Sequence, residues 1–261
     1  MKRKLEKAIS IVIFIIIILG GYLIYVNFLS YPSIKIANWN LEVFGEDKSE
    51  NIELMNVYVD KIEKYDIIFV QEIRDKSESS FTKLCSELQG YSCKISSRAG
   101  RTSFKEQYGV IYKKEIDLIY LKDYNPDSKD RWERPPIEVS FKVGDYSLTI
   151  YNIHVKPDDV QNELSNLENV VSDYGNVIIL GDLNADCSYY NNKNEKEFEN
   201  WNWIVKDSDD TAVSSNNCAY DRIILNDDAK KEYKGYGIDK KEITKEVSNH
   251  YLVWVRIKIV E

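Results

Sequence analysis

The sequence is short of the residues that would place it in an unusual class. Five prolines and eleven glycines in 261 residues exclude a collagen-like rod or a linker-dominated array. The four cysteines, Cys85, Cys93, Cys187 and Cys218, lack the spacing of a zinc ligand set, so zinc is not expected. Four cysteines allow three disulfide pairings. There are only two histidines, His154 and His250. Positive charge is scarce beyond the first seven residues. Lys2, Arg3, Lys4 and Lys7 stand there against Glu6, leaving 31 bases and 42 acids, a net −11, for the remainder. A body that acidic does not attract a polyanion through its overall field. Any contact with nucleic acid must use a local basic patch or a divalent metal.

Charge of either sign is absent between Lys7 and Lys35. Residues 8–29 run apolar, broken only by Ser10, Gly20, Gly21 and Asn27. At about 1.5 Å per residue this covers the roughly 30 Å hydrocarbon layer. The shorter apolar region and small-residue cleavage site of a signal peptide are missing, and no cysteine follows to accept a lipid. The expectation is a single-pass anchor, with residues 1–7 cytoplasmic and the domain outside at the cell membrane, or secreted if the segment is cleaved. An outside location permits disulfides.

What is present supports one packed domain over 34–261. The hydrophobic set makes up 43% and charged residues 30%, enough for a core and unlike disorder. Apolar spacing predicts helices over 52–62, 77–88 and 159–173. Strands are expected at 34–39, stopping at Asn40, and at 67–70, 91–96, 108–112, 116–121, 137–143, 147–153, 177–180, 219–225 and 251–259. No linker or repeat divides them. This alternation points to an α/β fold of two packed sheets with outer helices.

Polar groups gather where these strands end. Asn40 follows one strand, Gln71 and Glu72 another, His154 a third, Asp182 and Asn184 a fourth. Tyr220 and Asp221 open the 219–225 strand, and Asn249 and His250 precede the last. Strand ends on one sheet edge form the usual cleft of an α/β sheet. Glu72 with oxygens from Asn40, Asp182 and Asn184 makes a hard donor set suited to Mg²⁺ or Mn²⁺. Two imidazoles beside such an ion can serve as base and acid in hydrolysis of a phosphodiester. Each needs a carboxylate to fix its tautomer, and Glu106 and Asp221 are the candidates.

The segments IKIANWNLEVFGE (34–46), DIIFVQEIRD (66–75), GRTSFKEQY (100–108), IYNIHVKPDD (150–159), VIILGDLNADCSYY (177–190), SSNNCAYDRIIL (214–225) and SNHYLVWV (248–255) resemble the endonuclease/exonuclease/phosphatase superfamily, and within it the deoxyribonuclease I family. NADCSYY and NCAYDRI are the most specific, since they carry Cys187 and Cys218 beside polar positions. The resemblance implies a four-layered sandwich of two mixed β-sheets flanked by helices. It implies Mg²⁺- or Mn²⁺-dependent endonucleolytic hydrolysis of DNA, with little sequence specificity and 5′-phosphate ends. By the same resemblance His154 and His250 are catalytic, paired with Glu106 and Asp221. Glu72, Asn40, Asp182, Asn184 and Asn249 hold metal or phosphate oxygens, Arg134 and Tyr220 hold phosphate, and Arg74 and Arg101 contact DNA. Lys94, Arg98 and Lys105 complete a basic cluster around that loop. A Cys187–Cys218 disulfide is implied, with Cys85–Cys93 a second pairing that spacing permits. Asp210, with Asp207 and Asp209, resembles a structural Ca²⁺ stretch.

Two positions depart from the family pattern. Ser248-Asn249-His250 stands where the family has Ser-Asp-His, which removes a charge beside His250. Phe104 replaces a tyrosine and cannot donate a hydrogen bond. Two other readings remain open. One is a sphingomyelinase-like phospholipid phosphodiesterase, which the anchor favours. The other is a degenerate, non-catalytic surface binding module, which Asn249 favours.

Overall fold

The computed structural model describes residues 12–21, 32–191 and 197–260. Among the described residues twelve strands form two six-stranded sheets. In the first the order is β11 (Tyr233–Asp239), β12 (Leu252–Lys258), β1 (Ser33–Phe44), β2 (Ile67–Ile73), β4 (Gln107–Lys113), β3 (Tyr91–Ile95). In the second it is β5 (Asp117–Asp123), β6 (Ile137–Val143), β7 (Tyr146–Asn152), β8 (Asn176–Asp182), β10 (Asp221–Leu225), β9 (Asn202–Trp203). Each sheet has one parallel pair near its middle, β1 with β2 and β7 with β8; all the other pairs are antiparallel. Helices make the parallel crossovers: α2 (Glu46–Glu50) and α3 (Ile52–Ile62) in the first half, α5 (Val160–Glu168) in the second. The remaining helices of the domain are α4 (Ser79–Glu87) and α6 (Asp227–Glu232).

Period-two alternation decides which way each strand faces. Ile34 and Ile36 of β1, Ile67 and Phe69 of β2, Ile178 and Leu180 of β8 and Ile223 and Leu225 of β10 fill the space between the sheets. The residues that alternate with them face outward. Ala37, Trp39, Ile68 and Val70 pack with Met55, Tyr58 and Ile62 of α3 and Leu84 of α4. Tyr151, Val177 and Ile179 pack with Leu164 and Leu167 of α5. The result is a four-layered arrangement of helices, sheet, sheet, helices, as expected.

Several boundaries differ from the sequence reading. β1 runs through Asn40 to Phe44, and β8 runs through Gly181 to Asp182. The 159–173 helix is shorter, Val160–Glu168, and follows a 3₁₀ turn at Pro157–Asp159. β9, β11, α2 and α6 were not foreseen. β11 is an edge strand whose residues are mostly half-buried and which contains Gly235 and Gly237, so it carries no alternating signal.

Of the expected span 8–29, residues 12–21 fall among those described. These described residues are helical (α1), with all eight apolar side chains from Val12 to Leu19 exposed. Among the described residues no helix is long and apolar enough to cross a membrane. Residues 1–11 and 22–29, including the basic segment 1–7, lie outside the described residues.

Gly181 is needed where β8 ends. Its φ is +157°, and a Cβ there would stand 1.9 Å from the Ile153 carbonyl oxygen. That carbonyl already accepts the Gln71 side-chain amide at 2.8 Å. Gly181→Ala is expected to cost about 3 kcal/mol or more, the range for forced backbone strain in a core. Urea denaturation of the purified variant measures it, and a change below about 1 kcal/mol would show that the strand end can shift.

Candidate active site

The site is the continuation of the inter-sheet core. At one end of the strands the inward positions turn polar: Asn38 and Asn40 on β1, Gln71 on β2, Glu106 before β4, Asn152 and His154 on and after β7, Asp182 on β8, Asp221 on β10. All are buried. These positions share one end because it holds the C-terminal ends of both parallel pairs, the customary cleft of such sheets.

Glu72 is an exception to the parity. By alternation it belongs on the helix face with Ile68 and Val70. A bulge corrects this: Asn40 pairs with Gln71 but Phe44 with Ile73. Glu72 itself has φ +60°. The strand bends there and the carboxylate swings into the cleft, the usual service of a bulge beside a site.

Two histidine–carboxylate pairs face one another. His154 Nδ1 is 2.6 Å from Glu106 Oε1, and His250 Nδ1 is 2.8 Å from Asp221 Oδ2. Each imidazole therefore presents Nε2, and both Nε2 atoms converge on Asp182 Oδ2, at 3.3 Å from His154 and 3.5 Å from His250. Ligand atoms of Glu72, Glu106 and His154 lie within 4.8 Å of one another, as do those of Asp182, Asp221 and His250. Arg134 Nε donates to the His154 carbonyl at 2.9 Å and stands 3.3 Å from Glu106.

The charges follow from these contacts. Burial alone would raise the Glu72 carboxyl, but His154, Arg74, the Asn40 amide and the Val43 N–H bring it down to about 2. Burial would lower His250, but Asp221, Asp182 and Glu72 push it up to about 10. His154 is also raised: Glu106 and Asp182 outweigh burial and Arg134. Burial raises Asp221 against the pull of His250.

A pH dependence follows for the chain in EDTA. Glu72 is depressed from 4.5 to about 2, so its contribution is present above pH 4.5 and is lost as pH falls towards 2. His250 is elevated from 6.5 to about 10, so its contribution is full below pH 6.5 and is lost as pH rises towards 10. Melting temperature against pH is expected to fall on both sides, and His250→Ala is expected to flatten the alkaline fall. An unchanged alkaline limb in that variant would contradict the assignment.

The donor set fits a hard divalent cation. It offers carboxylate oxygens from several strands, and Glu106 Oε2 is buried without a hydrogen bond. Asn184 spends its amide nitrogen on the Val155 carbonyl at 3.0 Å, which leaves its oxygen available. Such oxygen ligands suit Mg²⁺ or Mn²⁺.

Some expected ligands behave otherwise. The Asn40 oxygen accepts from the Glu42 N–H at 2.9 Å, and its NH₂ donates to Glu72 and Asp182 at 3.2 and 3.0 Å. Asn40 thereby orients both carboxylates, and its oxygen keeps a second lone pair. Asn249 is exposed, and only its backbone is tied down, to Glu42 Oε2 and Val213 N. Arg74 lies inside the site between Glu72 (3.1 Å) and Glu106 (3.4 Å). Arg101 is bound to Asp130 and Glu133, and Arg98 staples backbone carbonyls of Arg74 and Lys105. These arginines are compensated by the protein itself. In the acidic run Asp207 pairs with Arg222, Asp209 accepts from Tyr236 and Asp210 pairs with Lys240. Tyr220 is half-buried, its ring 5.5 Å from that of Tyr189.

Both disulfides are formed, Cys187–Cys218 and Cys85–Cys93. The first joins the loop after β8 to the segment before β10, bracketing Asn184 and Asp221. Sequence reasoning missed the floor of the site. Asn152 donates to Asn38 at 2.8 Å, Asn38 donates to Gln71 at 3.3 Å, and Gln71 accepts the Asp182 N–H at 3.0 Å. Thr211 Oγ1 accepts the Asp221 N–H. Extending the inward alternation past the last apolar residue would have found Asn38 and Asn152.

Comparison with known proteins agrees with this geometry. Residues 37–250 match the model of the Endonuclease/Exonuclease/phosphatase family. Deoxyribonuclease gamma of Rattus norvegicus is 33% identical over 219 residues, covering 74% of this chain and 71% of that protein. Deoxyribonuclease-1 of Gallus gallus is 32% identical over 229 residues, 78% of this chain and 81% of that protein. A solved endonuclease/exonuclease/phosphatase from Bacteroides vulgatus superposes with a TM-score of 0.65 at 15% identity, covering 88% of this chain and all of that one.

Proposed function

We propose that this chain, which belongs to the endonuclease/exonuclease/phosphatase family and to its deoxyribonuclease I branch, is a divalent-metal-dependent endonuclease that cuts DNA with little sequence preference and leaves 5′-phosphate ends. It is a hydrolase of that family. The observation that carries the reading is the meeting of two carboxylate-held imidazoles on Asp182 beside Glu72. The curated relatives named deoxyribonucleases support DNA as substrate.

Glu72, with Asp182 and the Asn184 oxygen, would hold Mg²⁺ or Mn²⁺, which when bound supplies positive charge to the phosphate oxygens. The protein's own groups do the rest. With Nδ1 of each imidazole fixed by a carboxylate, Nε2 is the working atom of both. One Nε2 takes a proton from water as its oxygen bonds to phosphorus. The other gives a proton to the 3′ oxygen as the P–O3′ bond breaks. Arg134, with its guanidinium beside Glu106, is placed to meet a phosphate at the cleft.

The test is supercoiled plasmid incubated with the full chain and Mg²⁺ or Mn²⁺. Nicked circles, their loss on adding EDTA, and nicks that ligase reseals are expected. Intact plasmid with either ion, alongside turnover of sphingomyelin, would replace DNA by phospholipid as substrate.

The proposal keeps residues 8–29 as an anchor with the domain outside the cell. The eight exposed apolar side chains of α1 support it, since such a stripe calls for a membrane or partner. Retention of the chain in the membrane pellet after alkaline carbonate washing is the expected result.

A further inference from the structure

The bulge that brings Glu72 into the cleft is held in an unfavourable backbone. Leu41, Glu42 and Val43 stand opposite Glu72 alone on β2. Glu42 and Val43 have φ of +49° and +52°, and Glu72 has +60°. Three non-glycine residues here occupy the left-handed region, and one is β-branched, a real outlier for its type. Such strain persists only where the surroundings over-determine it. The strained turn has a clear product: the Glu42 N–H reaches Asn40 Oδ1 at 2.9 Å, and the Val43 N–H reaches Glu72 Oε2 at 3.1 Å.

A largely buried lysine is bonded to the carbonyls of this turn. Lys48, on α2, donates to the carbonyls of Leu41 (2.8 Å), Glu42 (2.5 Å) and Val247 (3.0 Å). All three ammonium protons are thereby used, and the side chain is only 16% exposed. Val247 lies three residues before His250. The same segment is bonded back to the turn, Ser248 Oγ to the Asn40 carbonyl at 2.7 Å and the Asn249 N–H to Glu42 Oε2 at 3.0 Å. Ser248 Oγ also accepts the His250 N–H at 3.0 Å. Lys48 thus joins the turn aiming Glu72 to the segment carrying His250.

We propose that Lys48 is a positioning residue: it clamps the strained 41–43 turn onto the 247–250 segment and so sets the Glu72 carboxylate and His250 in register for a divalent ion. The metal part rests on the function proposed above. Outer groups that orient metal ligands change affinity by about 10- to 100-fold when removed.

The test compares Lys48→Met with Tyr58→Phe in the full chain. Tyr58 donates to the same Val247 carbonyl at 2.7 Å but its hydroxyl makes no hydrogen bond to residues 41–43, so its variant reports general loosening of the segment. Lys48→Gln, which keeps two amide protons, carries the measurement if Lys48→Met does not fold. In EDTA, amide hydrogen exchange at Glu42 and Val43 is expected to quicken about tenfold or more in the Lys48 variant and to stay as in wild type in Tyr58→Phe. Calorimetric titration with Mn²⁺ is expected to show about tenfold weaker binding in the Lys48 variant and little change in Tyr58→Phe. Wild-type exchange at both amides in the Lys48 variant would overturn the clamp, as would equal effects from the two substitutions. Quickened exchange with no Mn²⁺ binding even by the wild type would support the clamp and overturn the metal reading instead.

Discussion

His154→Ala is expected to lower the rate of DNA cleavage by about 10³-fold or more, within the range for a lost proton-transfer group whose partner group remains. Only Nε2 of His154 is free to move a proton, because Nδ1 is held by Glu106 at 2.6 Å. Alanine removes that atom, and Asn152, the inward polar residue at the end of β7, is an amide spent on Asn38 and Leu180 that cannot take its place in proton transfer. The fold should survive. The His154 N–H still bonds Tyr108 Oη, and its carbonyl still accepts from Arg134. The stranded Glu106 carboxylate keeps Arg134 at 3.3 Å and Arg74 at 3.4 Å, so it is not left as an unpaired buried charge. The loss should therefore appear in kcat for plasmid nicking, with the melting temperature changed by only a few degrees. Glu106→Gln, which keeps the shape but loses the charge that fixes the tautomer, should fall between the two. Activity above a tenth of wild type in His154→Ala would remove the imidazole from the mechanism.

How much of this was legible depends on which physical rule placed each residue. Asn40, Asp182, Asp221, Glu106 and His154 all continue the inward alternation of strands whose apolar positions were plain in the sequence. Their convergence needed only the two sheets to pack. Glu72 was found although simple alternation would have faced it towards α3; the turn that redirects it has no composition signal, since Glu42, Val43 and Glu72 are not turn residues. Gly181 was read as the close of a strand, yet it lies inside β8, where the missing side chain lets the Ile153 carbonyl approach. The arginines have internal partners that the sequence did not show. A basic residue in a loop reads as free, but Arg74, Arg98 and Arg101 each find an internal acceptor supplied by distant chain. Likewise the spacing of Asp207, Asp209 and Asp210 says nothing of Arg222, Tyr236 and Lys240, which divide them. Pairing across long sequence separation is what single-sequence reasoning cannot see. Asn249 lies just outside β12, where no strand parity applies, and the backbone turns its side chain to the surface.

Asp182→Asn is expected to be as damaging as the loss of a histidine, about 10³-fold or more, while leaving the fold nearly as stable. Asp182 meets both halves of the site. Its Oδ2 faces Asn40, His154 and His250, and its Oδ1 accepts the Asn184 N–H at 3.2 Å. Asparagine preserves the Oδ1 bond and the volume. It places an NH₂ against the Asn40 NH₂, so that contact turns from attraction to opposition, and it removes the negative charge on which two imidazoles and a cation depend. The stability cost is limited because each histidine keeps its own carboxylate, Glu106 or Asp221. A second readout follows. Asp182 raises both imidazoles, so in EDTA the variant's histidines should titrate at lower pH, and the alkaline loss of stability should begin earlier, because an elevated group protects only up to its folded value. Proton NMR of the two histidine rings, with the melting temperature recorded across the same pH range, measures this. Strong cleavage in Asp182→Asn, or histidines that titrate as in the wild type, would place the reacting phosphate elsewhere than between His154 and His250.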